Sequence, residues 1–252
     1  GGQLLVAKAI PGKEEFNETI RYFTHEMEEA GVEMLTGVEV DSDRLSSFDE
    51  VVVATGVKPR AWNVQGADRP EVVGYLDVLE GRVEVGQKVA VIGAGGIGFD
   101  VTDFLTHDAD AAGFLASWGV DATLENRGGL TVPQRKTSQR EVTMYQRGQG
   151  KMGGNLGKST GWIHRNTLRA RGVKQETGVK YVKVDDDGLH VILADGTNRV
   201  QPVDHVVVCA GQESRVPEGL SHPNMTVIGG ANNARSLDAQ RAIREGLLTA
   251  CR

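Results

Sequence analysis

The stretch KVAVIGAGGIGFDVTDFL, residues 88–105, decides the fold. Its first five residues predict a strand, apolar and buried from Val89 to Ile92. A glycine-rich turn follows, and from there the apolar spacing turns helical. Gly93, Gly95 and Gly98 make the pattern G-x-G-x-x-G, with Gly96 between them. The first glycine permits a tight turn, the second lets backbone approach a pyrophosphate, and the third allows close helix–strand packing. The helix amino-terminus adds free N–H groups and the positive end of a dipole. Such a motif is weak alone, but here a strand precedes it and a helix follows it, as a dinucleotide loop requires. A purely structural glycine turn is the bland alternative.

The end of the next strand selects the nucleotide. An acidic residue there bonds the ribose 2′-hydroxyl of NAD, whereas an arginine receives the 2′-phosphate of NADP. REVTMYQR, 140–147, predicts that strand, and its end carries Gln146 and Arg147, with Lys151 four residues on. This favours NADP. The rival is Asp121, nearer the customary spacing but in a segment with little strand character, and Arg147 and Lys151 can also be read as solvated surface cations.

Working outward, residues 14–30 carry Phe16, Ile20, Phe23, Met27 and Ala30 at helical spacing, and Gly31 is placed to cap that helix. Residues 32–40, VEMLTGVEV, read as extended, and 48–60 as a buried strand ending in a turn. Residues 61–87 look like a connector, and 107–139 show little pattern beyond a short amphipathic piece near GFLASWGV. A helix is predicted at 160–172, a β-meander at 179–209 around Asp187-Gly188 and Asp195-Gly196, and a last helix near 236–249. One element occurs twice: VVVATGVK at 51–58 and VVVCAGQE at 206–213. Each is an apolar strand ending in a small-small-glycine turn, which suggests two nucleotide domains, one threaded through the other.

Composition limits the partners. The 252 residues carry a formal net charge of −6, so no general basic surface invites nucleic acid. No apolar run reaches the roughly 20 residues of a membrane helix, and no segment reads as a signal peptide, which makes the cytoplasm the expected compartment. Cys209 and Cys251 lie far apart without metal or redox spacing. The 33 glycines exceed a usual share of roughly 7% and fall singly or in pairs between patterned segments, as in a fold with many tight turns. No tyrosine has a lysine four residues later, and H-E-x-x-H, G-x-S-x-G and a P-loop are absent. Asp185-Asp186-Asp187-Gly188 lacks the alternation and terminal Glu of a calcium loop and reads as a charged hairpin turn. Among the histidines only His164 lies in a motif of interest, on a helix face where a structural role is the commoner one. No metal site is expected.

Together, GGQLLVAKAIPGKEEF (1–16), YLDVLEG (75–81), the glycine stretch, GKSTGWIHR (157–165), DDDGLHV (185–191), CAGQE (209–213), IGG (228–230) and LDAQRAI (237–243) span nearly the whole chain. They resemble the carboxy-terminal part of the bacterial 2,4-dienoyl-CoA reductase (NADPH) family, which belongs with trimethylamine dehydrogenase and the larger old-yellow-enzyme relatives. The resemblance implies an α/β fold of two Rossmann-like, doubly wound, three-layer dinucleotide-binding domains, one inserted in the other. A discontinuous FAD domain at 1–84 and 214–252 would enclose an NADPH domain at 85–213. It further implies that Gly93, Gly95, Gly96 and Gly98 bind the NADPH pyrophosphate, and that Arg147 and Lys151 meet the 2′-phosphate. Gly2, Gln3, Thr55, Gly56, Gly229 and Gly230 would line FAD. Leu237 and Asp238, at the start of the last helix, would face the flavin ring, where the helix dipole favours the reduced anion. Asn232 stands where the family usually has an aspartate near the flavin ribityl chain. The first domain would be incomplete at its amino-terminus, lacking the strand and glycine loop for FAD, so the chain is expected to be a fragment. FMN and a [4Fe–4S] cluster would belong to an amino-terminal barrel outside it.

Two functions follow from that resemblance. The chain is an oxidoreductase module that passes hydride from NADPH to FAD and electrons onward to the barrel, or it is a non-redox nucleotide-binding domain, as in trimethylamine dehydrogenase, whose equivalent region holds ADP. The intact glycine triplet and Arg147 favour the first. The missing FAD loop and Asn232 favour the second.

Overall fold

A computed structural model describes residues 1–108, 110–235 and 237–251. Its helices are α1 (Gln3–Ala7), α2 (Phe16–Glu29), α3 (Ser42–Leu45), α4 (Tyr75–Leu79), α5 (Gly96–Thr106), α6 (Ala111–Trp118), α7 (Gly161–Ala170), α8 (Gly229–Asn232) and α9 (Ala239–Ala250). The strands are β1 (Val51–Val53), β2 (Val57–Pro59), β3 (Val72–Gly74), β4 (Lys88–Ile92), β5 (Glu141–Gln146), β6 (Lys174–Thr177), β7 (Lys180–Asp185), β8 (Gly188–Ile192), β9 (Asn198–Gln201), β10 (His205–Val208), β11 (Gln212–Ser214) and β12 (Met225–Val227). Two compact units result. One comprises residues 1–2, 17–61 and 211–252, and the other residues 3–16 and 62–210.

The second unit is built on a parallel five-stranded sheet of order β3-β10-β4-β5-β6. Along β4 the side chains alternate between faces, as strand geometry demands. Val89 and Val91 join Phe99, Val101 and Leu105 of α5 and Leu168 of α7 in one buried cluster. Ala90 and Ile92 join Val184, Leu189 and Val191 of the antiparallel meander β7-β8-β9 in the other. Both faces of the sheet are thus covered, by helices on one side and the meander on the other, which is why β4 reads as a continuous apolar run. The chain leaves β4 through α5 toward β5 and β6, and returns by β10 on β4's opposite flank. The strand order therefore reverses at β4 and β10, and a ligand crevice forms at the carboxyl ends of strands where such a reversal occurs.

The segment expected to be a connector holds β3 and α4. Val73, Tyr75 and Val78 belong to the helix-side core, so this unit begins at Trp62 rather than at residue 85. It ends at Ala210 rather than at residue 213, because β11 pairs antiparallel with β2, Gln212 opposite Pro59. Residues 3–16 also pack with this unit, burying Val6 and Ile10.

The first unit has a small core of Leu45, Val51 and Val53 with Leu220, Met225 and Val227 against them. Here β1 pairs in parallel with β12, and among the described residues with no other strand. Val52 is consequently 48% exposed, where a strand buried on both faces was expected. α2 forms as its periodicity predicts and closes with Gly31 in the left-handed region (φ 68°), Val32 N–H donating to the Met27 carbonyl. Yet α2 and α9 bury no residue, and Phe23, Ile243 and Leu247 stand exposed.

An internal repeat links the units' sequences. Gly31-Val-Glu-Met-Leu-Thr-Gly37-Val matches Gly172-Val-Lys-Gln-Glu-Thr-Gly178-Val, and all four glycines named have φ between 68° and 82°. Residues 174–177 become β6 by pairing with β5, Tyr145 opposite Glu176. Among the described residues, 32–40 find no partner strand and form none, leaving Val32, Met34, Leu35 and Val38 exposed.

Candidate nucleotide-binding site

The glycine turn sits at the carboxyl end of β4. Gly93 has φ 107°, and a Cβ there would lie 2.5 Å from the carbonyl oxygen of Cys209, the residue after β10. The turn therefore presses into the reversal point, and only glycine fits. At Gly98 a Cβ would overlap the Gly93 carbonyl oxygen and stand 2.9 Å from its carbon, so α5 starts directly over the turn. Gly95 and Gly96 are the opposite case: a Cβ at either meets nothing within 4 Å. Two glycines are used for close protein packing, and two border open space at the amino-terminus of α5, whose first-turn amides have no intrahelical acceptor. That arrangement fits a pyrophosphate.

β5 lies beside β4 in register, Ile92 opposite Tyr145, so its end overlooks the turn's flank. Gln146 is half-buried there, and Arg147 and Lys151 are exposed and form no ion pair among the described residues. Asp121 is committed elsewhere. One carboxylate oxygen accepts the Thr123 N–H (3.0 Å) and hydroxyl (2.6 Å), and the other accepts the Asn126 N–H (2.7 Å) and side-chain amide (2.8 Å). These donors, the Thr123 hydroxyl foremost, hold its pKa well below the usual aspartate range. It is the organiser of its own loop.

An ion pair that the sequence did not announce borders the glycine helix. Lys13 Nζ lies 2.6 Å from Asp100 Oδ2 of α5, across 87 positions. Cys209 is buried next to this site, and burial raises its thiol pKa strongly, so it is held as the neutral thiol. Both cysteines are free. His164 is half-buried on α7. The acidic hairpin turn behaves as expected: Asp185 pairs with Lys183 (2.6 Å) and His190 (2.7 Å) of its own meander.

In the first unit, the residues expected at the flavin divide into two groups. Gly230 is squeezed: a Cβ would stand 2.7 Å from Leu237 Cδ2, 2.8 Å from Val57 Cγ1 and 3.2 Å from the Gly56 carbonyl carbon. The structure thus gathers Gly56, Gly230 and Leu237, with Gly229 (φ 62°) beginning α8 and its N–H donating to Glu245. The Thr55 hydroxyl donates to the Arg215 carbonyl across the same turn. Asn232 is exposed at the end of α8, and Asp238 caps α9 by accepting the Arg241 N–H at 2.7 Å. Gly2 is exposed with φ 56°, and Gln3 opens α1 in the other unit.

A parallel sheet whose order reverses at an open glycine turn defines a Rossmann-like dinucleotide-binding protein. The chain belongs to the pyridine nucleotide-disulphide oxidoreductase family, which matches residues 1–226. This is a family of FAD- and NAD(P)H-binding oxidoreductases. The chain is 26% identical over 225 residues to a metal reductase of Desulforamulus reducens, covering 85% of this chain and 33% of that protein. It is 25% identical over 255 residues to a bilirubin reductase of Mediterraneibacter gnavus, covering 99% and 35%. Its fold matches that of 2-naphthoyl-CoA reductase with a TM-score of 0.78 at 24% identity, over 98% of this chain and 33% of that one. The chain therefore spans about a third of the length of these relatives. No helix among the described residues is long and apolar enough to cross a membrane.

Proposed function

We propose that the chain is the electron-input module of an NADPH-dependent flavoprotein reductase resembling 2,4-dienoyl-CoA reductase. The observation that carries this reading is the open space at Gly95 and Gly96, beside two unpaired cations at the end of β5. In it, the amides of the first turn of α5 hold the pyrophosphate, and Arg147 and Lys151 meet the 2′-phosphate as charge-assisted partners. Gly93 lets the turn lie against the Cys209 carbonyl, and Gly98 lets α5 start directly over the turn. In the first unit, the Thr55–Gly56 turn and the Gly229–Gly230 start of α8 border FAD, with Asn232 at the ribityl chain and Leu237 and Asp238 before α9. FAD, when bound, accepts hydride from NADPH and releases electrons singly. The free edge of β1, the unpaired residues 32–40 and the exposed apolar faces of α2 and α9 support a further part of the reading. A strand–loop–helix–strand segment completes this unit, as β4, α5 and β5 complete its twin, and a barrel carrying FMN and an iron–sulfur cluster receives the electrons. The reductase names of the two relatives agree with this role, as does a CH–CH acceptor such as an unsaturated thioester. The cytoplasm is the proposed compartment.

The same free edge of β1 favours a second reading, a nucleotide-binding domain without redox function. The visible spectrum of the purified chain, recorded before and after adding FAD and then NADPH without oxygen, separates the two. Flavin bands that bleach with NADPH support electron input. A colourless chain that binds NADPH but no flavin, even when the completing segment is present, refutes it.

A further inference from the structure

Gln146 ends β5 where an acidic residue would select NAD. Its side-chain amide nitrogen lies 3.0 Å from the Gly148 carbonyl oxygen and 3.0 Å from that of Gly150. Both amide hydrogens are therefore spent on the loop that carries Arg147 and Lys151. The Gly148 oxygen also accepts the Gly178 N–H at 3.0 Å, and the Gln146 carbonyl accepts the Val179 N–H at 3.1 Å. One side chain thus ties the strand end, the basic loop and the β6–β7 turn together.

We infer that Gln146 is a positioning residue for 2′-phosphate recognition: it holds the 147–151 loop closed through Gly148 and Gly150 and so sets the placement of Arg147 and Lys151. The inference rests on the proposed role of those two cations. A carboxylate has no proton to give near neutral pH, so a glutamate in place of Gln146 would point its oxygens at two carbonyl oxygens. Closing the loop needs a donor at this position, while bonding a ribose 2′-hydroxyl in the NAD manner needs an acidic acceptor. One side chain cannot serve both ends. Selection between the two nucleotides is then exerted by the loop's own backbone and not only by the cations.

Calorimetric titration of the chain with 2′,5′-ADP and with 5′-AMP tests this, using the wild type, Gln146→Leu, Gln146→Glu and the double variant Arg147→Ala/Lys151→Ala. The double variant is expected to lose the preference for 2′,5′-ADP. Gln146→Leu keeps the volume but loses both donors. It is expected to bind 2′,5′-ADP about 5- to 10-fold more weakly, the worth of two neutral hydrogen bonds only partly recovered by water, and 5′-AMP within about twofold of wild type. Gln146→Glu should fall further for 2′,5′-ADP. Tryptic cleavage after Arg147 and Lys151 should quicken several-fold in Gln146→Leu, with the thermal midpoint little changed. Wild-type affinity of Gln146→Leu for 2′,5′-ADP, alongside a weakened double variant, overturns the clamp and leaves the cation site standing. Equal loss for both ligands also overturns it, since the residue would then support the nucleotide site at large. An unaffected double variant removes the basic loop from 2′-phosphate recognition, and the clamp with it.

Discussion

Substituting alanine at Gly95 and at Gly98 should separate binding from stability. At Gly98 the new methyl carbon would lie 2.9 Å from the Gly93 carbonyl carbon, and closer still to its oxygen. Carbon atoms prefer about 3.5–4.0 Å from one another and the oxygen is nearer still, so the start of α5 must back away from the turn by more than about 1 Å. Overpacking of that kind costs about 1–3 kcal/mol. Alanine recovers up to about 1 kcal/mol of helix propensity. The net loss should be about 1–2 kcal/mol, readable as a lower urea midpoint with an unchanged slope. Gly95 has φ −80° and ψ −173°, a backbone open to any residue, and its methyl would meet no protein atom within 4 Å. Reduced freedom of the unfolded chain favours Gly95→Ala by about 0.4–1 kcal/mol, and alanine's poorer N-cap preference opposes it. Stability should stay within about 0.5 kcal/mol of wild type. The methyl nevertheless occupies the space assigned to the pyrophosphate, so NADPH affinity should fall at least about tenfold, or 1.4 kcal/mol. Denaturant unfolding and fluorescence titration of NADPH on the same preparations read both quantities. Wild-type NADPH affinity in Gly95→Ala would refute the loop as the pyrophosphate cradle. Undiminished stability in Gly98→Ala would refute the close approach of helix and turn.

Other outcomes follow from single groups. The Tyr145 hydroxyl is buried without a hydrogen-bond partner among the described residues, and burial pushes its pKa up to about 12. Tyr145→Phe should therefore raise unfolding stability by about 1 kcal/mol, and a loss would mean that the hydroxyl is bonded, by a buried water for instance. Asp121 ionises more readily folded than unfolded, so its stabilisation is full above the ordinary value of 3.8 and is lost as pH falls below it. The stability gap between wild type and Asp121→Asn should shrink on acidification below about pH 4, and a gap that widens there contradicts the assignment. A thiol titrant should find Cys251 in the native chain and Cys209 only in denaturant. The Lys13–Asp100 pair is about a quarter to a third exposed, so a double-mutant cycle should yield no more than about 1 kcal/mol, decreasing with salt.

Much of the nucleotide site is legible from local pattern. Strand, glycine turn and helix are contiguous at 88–105, and Gly98 has its reason five residues away in the Gly93 carbonyl, whereas Gly93 answers to Cys209, which only the fold brings beside it. Gln146 and Arg147 could be placed because β5 declares itself by its apolar run. The Lys13–Asp100 pair could not be read, since nothing in the sequence relates positions 87 apart. Neither could the commitment of Asp121 to Thr123 and Asn126, because its proximity to the customary spacing says nothing of where its oxygens point. The domain boundary moved for the same reason. Residues 61–87 read as a connector punctuated by Gly and Pro, and 72–79 within them become sheet edge and core only when β10 lies beside them.

The clearest division is between residues 31–38 and 172–179. The sequence by itself determines a segment bounded by glycines six residues apart, Gly-Val-x-x-x-Thr-Gly-Val, in both, with the same left-handed glycines at 31 and 37 as at 172 and 178. Only tertiary structure decides that the second is a strand, because a strand exists through hydrogen bonds to a neighbour, and β5 offers β6 that neighbour. Residues 32–40 carry the same local instruction, and no described strand lies alongside to receive it.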